Sequence, residues 1–380
     1  MIKTIKMRLY PNQVQQQKLC WTLNMCRNIY NAALEERITA YKMIGRSPSC
    51  FDQINELPDL KKAIPSYKKV FSQVLQDALK RLNLSYQAFF RRIKHGGKPG
   101  FPRFQGYHRY DSFTYPQDGF KLSNKKIFLS KIGHIKLRGY RPINGKIKTC
   151  TIKREADRWF VCLTCDMENE HLPQNDPPIS IGIDLGLKQY AVFSDGTVVD
   201  NPRLTKQNEA KIAFLNQSLA CKQRGSNRRK RAVVTLQRAH DKLKNQRRDF
   251  LHKLSRQIVS SYDVVVAEKL TLSTMLSKIS NVNKSMLDAS WSTLLEMIAY
   301  KAEYAGRRFI LVDPKNTSQT CSNCQTLLKI PLQLKNRTFH CPNCGLEIDR
   351  DLNAARNILL AGVQSAPEYN EGANLHIAAL

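Results

Sequence analysis

This sequence has few acidic residues and no apolar run long enough to span a membrane. Its 380 residues include 31 Asp and Glu against 61 Lys and Arg, a formal net charge of +30. Like charges in such excess repel one another, so they normally persist because a polyanion neutralises them. No apolar run approaches the roughly 20 residues that span a bilayer, and the first eight residues lack the apolar core of a signal peptide. These absences argue against a membrane partner, predict a cytoplasmic location and favour nucleic acid as the binding partner.

The cysteine pattern does not fit a secreted protein held together by disulfide bonds, because the 11 cysteines are odd in number and mostly scattered. Four of them follow a C-x2-C-x16-C-x2-C pattern, which is typical of zinc sites. Four sulfur ligands leave no open coordination position, so we expect a structural zinc ion. A redox pair or an iron–sulfur cluster is the alternative. The predicted ligands are Cys321, Cys324, Cys341 and Cys344. Another C-x2-C pair, Cys162 and Cys165, falls in a predicted strand, where residues three apart point to opposite faces.

Periodicity predicts two differently built regions. A strand over residues 2–10 is followed by helices from Asn12 to about Tyr41 and from Tyr67 to Ile93. Short strands between residues 110 and 168 then favour a small antiparallel barrel. After a proline-containing linker, residues 179–268 read as an α/β unit that ends in a buried parallel strand.

Three acidic positions lie where predicted elements end. Asp184 follows an apolar strand, Glu268 ends a run of valines, and Asp349 and Asp351 open the last predicted helix. A carboxylate on a core strand is costly unless something pairs with it, and Mg²⁺ prefers such oxygen ligands. Each acid alone could be a helix cap or half of an ion pair. Acids on a strand, a second strand and a helix together predict a magnesium-dependent phosphodiester site.

A long charged helical pair is predicted around a turn near Gly225. Residues 221–256 contain thirteen Lys or Arg and only two Asp. The pair could be simply a solvated hairpin, but charge this dense favours a clamp on a nucleic-acid backbone. The strongest candidates for phosphate contacts are Arg228, Arg229, Lys230 and Arg231.

Several of these motifs resemble those of one known family. Gly182–Gly186, Val265–Glu268, the two C-x2-C turns and Asp349–Ala355 are similar to segments of TnpB (OrfB), a family of transposon-encoded RNA-guided nucleases related to type V CRISPR effectors. The resemblance implies three RuvC-type catalytic acids, which would be Asp184, Glu268 and Asp351, with Asp349 as the near alternative to the last.

The resemblance also implies a fold and partners. The fold is an α/β RNase H-like (RuvC) nuclease domain with an inserted zinc ribbon, plus an N-terminal β-barrel (wedge) domain that carries a helical recognition insertion. The implied cofactors and partners are Mg²⁺, Zn²⁺, a guide RNA derived from the transposon end, and target double-stranded DNA beside a short motif. In a prokaryotic host the protein would associate with the nucleoid while bound to DNA. The expected bounds are 1–10 and 95–175 for the barrel, 11–94 for the helices, 179–316 and 346–361 for the nuclease, 317–345 for the ribbon and 362–380 for a poorly ordered tail.

Competing functions use the same acids differently. An RNase H-fold transposase would join strands through them, a guided DNA-binding regulator would not cleave at all, and in a plain RNA-binding protein the acids would be incidental. The residues that read bases do not follow from the sequence. Ser72, Gln73 and Gln76 are candidates only because they share the polar side of the second helix.

Overall fold

The computed structural model describes residues 2–107, 109–140, 142–168, 172–270, 283–330, 332 and 336–365. The chain divides into two compact units, Met1–Glu168 and Asn169–Leu380. Within the described residues, no helix is both long enough and apolar enough to cross a membrane. Most of the predicted tail, residues 366–380, lies outside the described residues.

A seven-stranded antiparallel sheet forms the centre of the first unit. Its order is β2-β6-β7-β1-β5-β4-β3, and β1 pairs with β7 and β5 in the middle. Alternate side chains such as Met7 and Leu9 enter the core, as expected for a sheet with one buried face. The strands are β1 (Ile2–Tyr10), β2 (Ser112–Tyr115), β3 (Phe120–Ser123), β4 (Lys126–Leu129), β5 (Gly133–Arg138), β6 (Lys146–Glu155) and β7 (Arg158–Asp166).

The predicted N-terminal barrel is wrong, because the described strands leave β2 and β3 as unpaired sheet edges. The ring of Phe71 takes the place of backbone pairing there. It stacks on Tyr115 of β2 at 5.7 Å between centroids, and a Cβ added to Gly119, just before β3, would lie 2.6 Å from its Cε1 atom. A side chain from the helical layer therefore fills the place where closure would need a strand ladder.

The helices of the first unit pack on this sheet and share its core. They are α1 (Gln13–Ile44), α2 (Cys50–Asn55), α3 (Leu57–Ala63) and α4 (Ser72–Lys94), with a 3₁₀ turn at Pro65–Lys69. The predicted first helix is confirmed, and Asn12 caps it by accepting from the Gln15 amide. The predicted second helix starts five residues late, because the 3₁₀ turn and the extended Val70 precede it.

The second unit contains a five-stranded mixed sheet of order β10-β9-β8-β11-β12. Strands β8, β11 and β12 are parallel, and β9 and β10 run antiparallel as the predicted hairpin. The elements are β8 (Ser180–Leu185), β9 (Gln189–Phe193), β10 (Val198–Asp200), α5 (Leu204–Ala220), α6 (Asn227–Ser261), β11 (Val264–Glu268), α7 (Asn283–Ala289), α8 (Trp291–Ala305), β12 (Arg308–Val312), β13 (Thr338–His340), β14 (Glu347–Asp349) and α9 (Arg350–Gln364).

Helix α9 lies directly on the parallel strands, because two glycines remove the side chains that would separate them. A Cβ at Gly182 of β8 would meet the Ala355 carbonyl oxygen and would lie 2.7 Å from the Leu359 amide nitrogen. A Cβ at Gly362 would meet the side chain of Val266 on β11. This backbone-to-backbone approach fixes the helix that carries Asp351 against the strands that carry Asp184 and Glu268.

Replacing Gly182 by alanine should therefore destabilise the second unit. The added methyl group would overlap helix backbone, which cannot rotate away, so we expect a loss of about 3 kcal/mol in the free energy of unfolding. Gly106→Ala is the control, because a Cβ there has no atom within 4 Å and its φ lies outside the left-handed region. Chemical denaturation of both variants measures the difference, and equal stabilities would contradict the close approach.

Candidate catalytic and metal centre

The three predicted acids meet at one end of the mixed sheet. Ile183 of β8 is in register with Ala267 of the parallel strand β11, so Asp184 and Glu268 follow side by side at the carboxyl ends of neighbouring strands. Asp351 lies in the first turn of α9. The topology that the sequence predicted for this set is thus present.

Burial and mutual repulsion dominate the electrostatics of Asp184. Burial, together with the negative charges of Glu268 and Asp351, raises the pKa of its carboxyl group to about 8, although the positive charge of Arg350 opposes this rise. When two neighbouring carboxylates raise the pKa of a carboxyl group, a nearby cation stabilises its charged form. The acids therefore act as one electrostatic group.

Glu268 is held in place by a threonine. Burial raises the pKa of Glu268, and the Thr317 hydroxyl donates a hydrogen bond of 2.5 Å to its Oε1 atom. One carboxylate oxygen is thus fixed, which leaves the other available to a further ligand.

The two acids at the start of α9 have different roles. Asp349 caps the helix, since its Oδ1 atom accepts from the amides of Asp351 at 2.9 Å and Leu352 at 3.1 Å. Burial raises the pKa of Asp351, and the neighbouring Asp349 charge adds to this effect. Arg337 approaches Asp351 Oδ2 at 3.3 Å. The cap occupies Asp349, whereas Asp351 is the acid of this pair whose charge acts on Asp184.

The carboxylates are more widely spaced than the ligands of one small ion. Among the described residues, the four cysteines form the one group of three or more potential ligands whose atoms all lie within 4.8 Å of one another. The carboxylates therefore do not form a closed ligand set around one ion, and what joins them is the electrostatic effect of Glu268 and Asp351 on Asp184.

The four predicted zinc ligands converge at the base of a small ribbon. The sulfurs of Cys321 and Cys344 lie 3.6 Å apart, and those of Cys324 and Cys341 lie 3.4 Å apart. Four sulfurs around one tetrahedral zinc ion would be separated by about 3.8 Å. Hydrogen bonds from Thr326 lower the pKa of Cys324 to about 5, which favours the thiolate that a metal needs. The donor set therefore fits a tetrahedral zinc ion.

Two buried asparagines, which the sequence reasoning missed, join this ribbon to α9. Asn353 is fully buried; its Oδ1 atom accepts from the Ser322 amide at 2.9 Å, and its Nδ2 atom donates to the Thr320 carbonyl at 2.7 Å. Asn357 donates to the carbonyls of Thr317 and Thr320. Two amides four residues apart on the buried face of a helix were the available signal.

The basic helical pair is present as α5 and α6, and its four candidates differ in exposure. Arg228, Lys230 and Arg231 are exposed. Arg229 is half-buried and donates to the carbonyls of Leu219 at 2.9 Å and Lys222 at 3.0 Å. It therefore caps the end of α5, and the other three are better placed to reach phosphates.

A single carboxylate anchors this helical pair. Asp288 accepts hydrogen bonds from the Thr205 amide at 3.0 Å and hydroxyl at 2.5 Å, at the start of α5. It also pairs with Arg247 of α6 at 2.6 Å. Sequence reasoning missed Asp288, because its partners are distant in the chain.

The base-reading candidates on α4 have partners of their own. Ser72 Oγ accepts from Lys61 Nζ at 2.5 Å, and Gln73 Oε1 accepts from the Asp118 amide at 3.3 Å. Gln76 is half-buried. These bonds organise the surface around the start of α4, and the role of all three in base reading stays a prediction.

Truncating Asn353 should loosen the ribbon from α9. Asn353→Ala removes the acceptor of the Ser322 amide and one of the two donors to the Thr320 carbonyl, which costs about 2 kcal/mol in the free energy of unfolding. Release of metal to a chelator should also become faster. Asn336→Ala, at an exposed position, is the control. Unchanged stability and metal release in Asn353→Ala would show that the two parts are independent.

Comparison with known proteins gives three family matches. Residues 291–358 match the "Cas12f1-like, TNB domain", residues 163–278 match the OrfB family described as "Probable transposase", and residues 1–46 match a "Helix-turn-helix domain". The first match covers the ribbon and most of α9, and the second covers two of the three acids. The third covers β1 and α1.

Two curated relatives span nearly the whole chain. A Streptomyces pristinaespiralis protein, "Putative RNA-guided DNA endonuclease", is 32% identical over 96% of this chain and 90% of its own length. InsQ of Escherichia coli (strain K12), with the same descriptive name, is 30% identical over 95% of this chain and 92% of its own length. In fold, the chain is similar to the protein of a "Cas12f1-sgRNA-target DNA complex", with a TM-score of 0.55, 14% identity, and coverage of 94% of this chain and 98% of the other. The chain belongs to the TnpB (OrfB) family of RNA-guided DNA endonucleases.

Proposed function

We propose that this chain is a transposon-encoded, RNA-guided and Mg²⁺-dependent DNA endonuclease that cuts through a single RuvC-like site. The observation that carries the proposal is the convergence of Asp184, Glu268 and Asp351, in which the first carboxyl group is influenced by both of the others. The names of the two relatives that span the chain support the same activity.

The partners are a guide RNA derived from the transposon end and target double-stranded DNA beside a short motif. The net charge of +30 supports a large polyanionic partner, and the structure with a similar fold is titled as a complex with guide RNA and target DNA. Base pairing with the guide chooses the sequence, while the protein recognises duplex shape and the adjacent motif. The protein acts in the cytoplasm of a prokaryotic host, at the nucleoid while bound to DNA.

Each residue of the acidic site has its own role in the proposed cleavage of the phosphodiester. Asp184, Glu268 and Asp351 offer only oxygen ligands, which Mg²⁺ prefers. When bound there, magnesium activates a water molecule and stabilises the leaving oxygen of a phosphodiester. Thr317 keeps one oxygen of Glu268 fixed, and Asp349 holds the first turn of α9 so that Asp351 faces the site.

The ribbon has a structural task. Cys321, Cys324, Cys341 and Cys344 hold a zinc ion with no open position. Through Asn353 and Asn357 the ribbon supports the helix that carries Asp351. Four sulfur atoms within 4.8 Å of one another suit a single ion, whereas the cysteines of an iron–sulfur cluster bind different irons and lie farther apart.

A transposase is the second candidate, because one matched family is described as "Probable transposase". Strand joining could use the same acids. A strand-transfer assay with transposon ends separates the two activities, since a nuclease leaves cut and unjoined target. A regulator that binds without cleaving would leave a guide-matched plasmid intact in the presence of Mg²⁺.

Removing the central carboxylate should abolish cleavage but retain binding. Asp184→Ala should bind guide RNA and target DNA as the wild type does, because a buried acid makes no contact with distant phosphates. Plasmid cleavage with Mg²⁺ should be lost. The matched control is Asp200→Ala, an exposed acid at the far edge of the same sheet, which should cut normally. Undiminished cutting by Asp184→Ala would remove the catalytic assignment.

Magnesium binding should depend on pH through Asp184. Its pKa is about 8 without metal, so below that pH a proton must leave before the cation binds. Apparent Mg²⁺ affinity should therefore rise about tenfold per pH unit between about pH 6 and pH 8, and then level off. Titration calorimetry with guide-bound protein measures this dependence. Asp184→Asn should bind Mg²⁺ weakly with no such slope, and a pH-independent wild type would contradict the assignment.

A further inference from the structure

The segment after α4 has a fixed backbone although it contains no regular secondary structure. The Gly97 amide donates to the Arg92 carbonyl at 2.9 Å, which turns the chain back along the helix. Pro102 is buried. Farther on, Asn31 of α1 bonds both backbone groups of Gln105, accepting from its amide at 2.8 Å and donating to its carbonyl at 3.1 Å. The loop is therefore held at three points.

This fixed backbone holds aromatic rings at the surface. Phe90 is 59% exposed, Phe101 47%, Phe104 53% and Tyr107 51%; together these four residues are called the aromatic platform. Phe101 meets Tyr86 and Phe89 edge-on at 5.7 and 5.3 Å between centroids, so the rings support one another. Exposed apolar surface concentrated in one short segment of the chain, and not scattered singly, is typical of an interaction site.

The chain segment that carries the platform has charge of one sign. No acidic residue lies between Asp77 and Asp111 in the sequence. Arg91, Arg92 and Arg103 are exposed and follow or precede Phe90 and Phe104 in the chain, and the Arg27 guanidinium lies 5.2 Å from the Tyr107 ring centroid. Flat rings interleaved with guanidinium groups suit a partner that has both flat faces and negative charge. Unpaired nucleotides have both.

We propose that the aromatic platform stacks unpaired bases of the guide RNA while the neighbouring arginines bind its phosphates. The proposal rests on the proposed function for the existence of that RNA. RNA is the favoured strand because proteins recognise it mainly through unstacked bases on aromatic and arginine planes. Single-stranded DNA is the competing occupant that the experiment separates.

The test compares a ring with an aliphatic side chain of similar size. Phe104→Leu keeps apolar surface but removes the flat face, so affinity for the RNA that copurifies with the wild type should fall about tenfold. Phe104→Trp should restore it. Phe51→Leu, 75% exposed on α2, is the matched control and should bind as the wild type does. Melting temperatures of all variants establish that they are folded.

Salt dependence separates stacking from charge. Phe104→Leu should leave the slope of log K against log salt unchanged, because a ring releases no counterion, whereas Arg103→Gln should reduce that slope by about one. A mixed-sequence 20-nucleotide DNA strand is the second probe. Equal RNA affinity of Phe104→Leu and wild type, or a loss confined to the DNA probe, would overturn the proposal. Wild type that copurifies with no defined RNA would instead overturn the proposed function.

Discussion

Repulsion among three half-buried carboxylates is the constraint on which the rest of the second unit depends. Asp184, Glu268 and Asp351 are brought to one end of a sheet, where burial already disfavours their charged forms and each negative charge adds to the cost for Asp184. Water solvates these carboxylates less well than it would at an exposed position. A bound cation stabilises such a cluster of carboxylates, and carboxyl groups with raised pKa values are common at catalytic sites.

The rest of the unit resists the separation that this repulsion favours. Backbone contact at Gly182 presses α9 onto β8, and the cap at Asp349 fixes its first turn. The segment that begins at Thr317 connects the acids, α9 and the ribbon. The Thr317 hydroxyl group donates to Glu268, and the Thr317 carbonyl group accepts from Asn357. A few residues later, the same segment forms the first cysteine turn. A structural metal in the ribbon and a catalytic metal at the acids would therefore be supported by the same short stretch of chain.

Much of this was predictable from the sequence, because it follows from local pattern. Apolar strands that end in an acid, a helix that opens with two acids, and the paired C-x2-C turns all lead directly to Asp184, Glu268, Asp351 and the four cysteines. Cys162 and Cys165 lie on opposite faces of β7, as their spacing on a predicted strand requires. Family resemblance added the choice of Asp351 over Asp349, for which the cap at Asp349 gives a physical reason.

The predicted barrel is wrong because sheet closure depends on edges that are distant in the sequence, and the ring of Phe71 between them leaves no periodic pattern in the sequence. The helix-capping bonds of Arg229 were not predictable for a related reason, since charge density does not reveal which guanidinium caps a helix; its contact with phosphate stays a prediction.

The central claim is that the three acids share divalent cations. Its most direct measurement is a crystal structure of the guide-bound protein soaked in Mn²⁺, with the ions located by anomalous scattering. We expect the ions to be liganded by carboxylate oxygens of Asp184, Glu268 and Asp351. Manganese sites elsewhere on the molecule, with these three carboxylates unliganded, would contradict it.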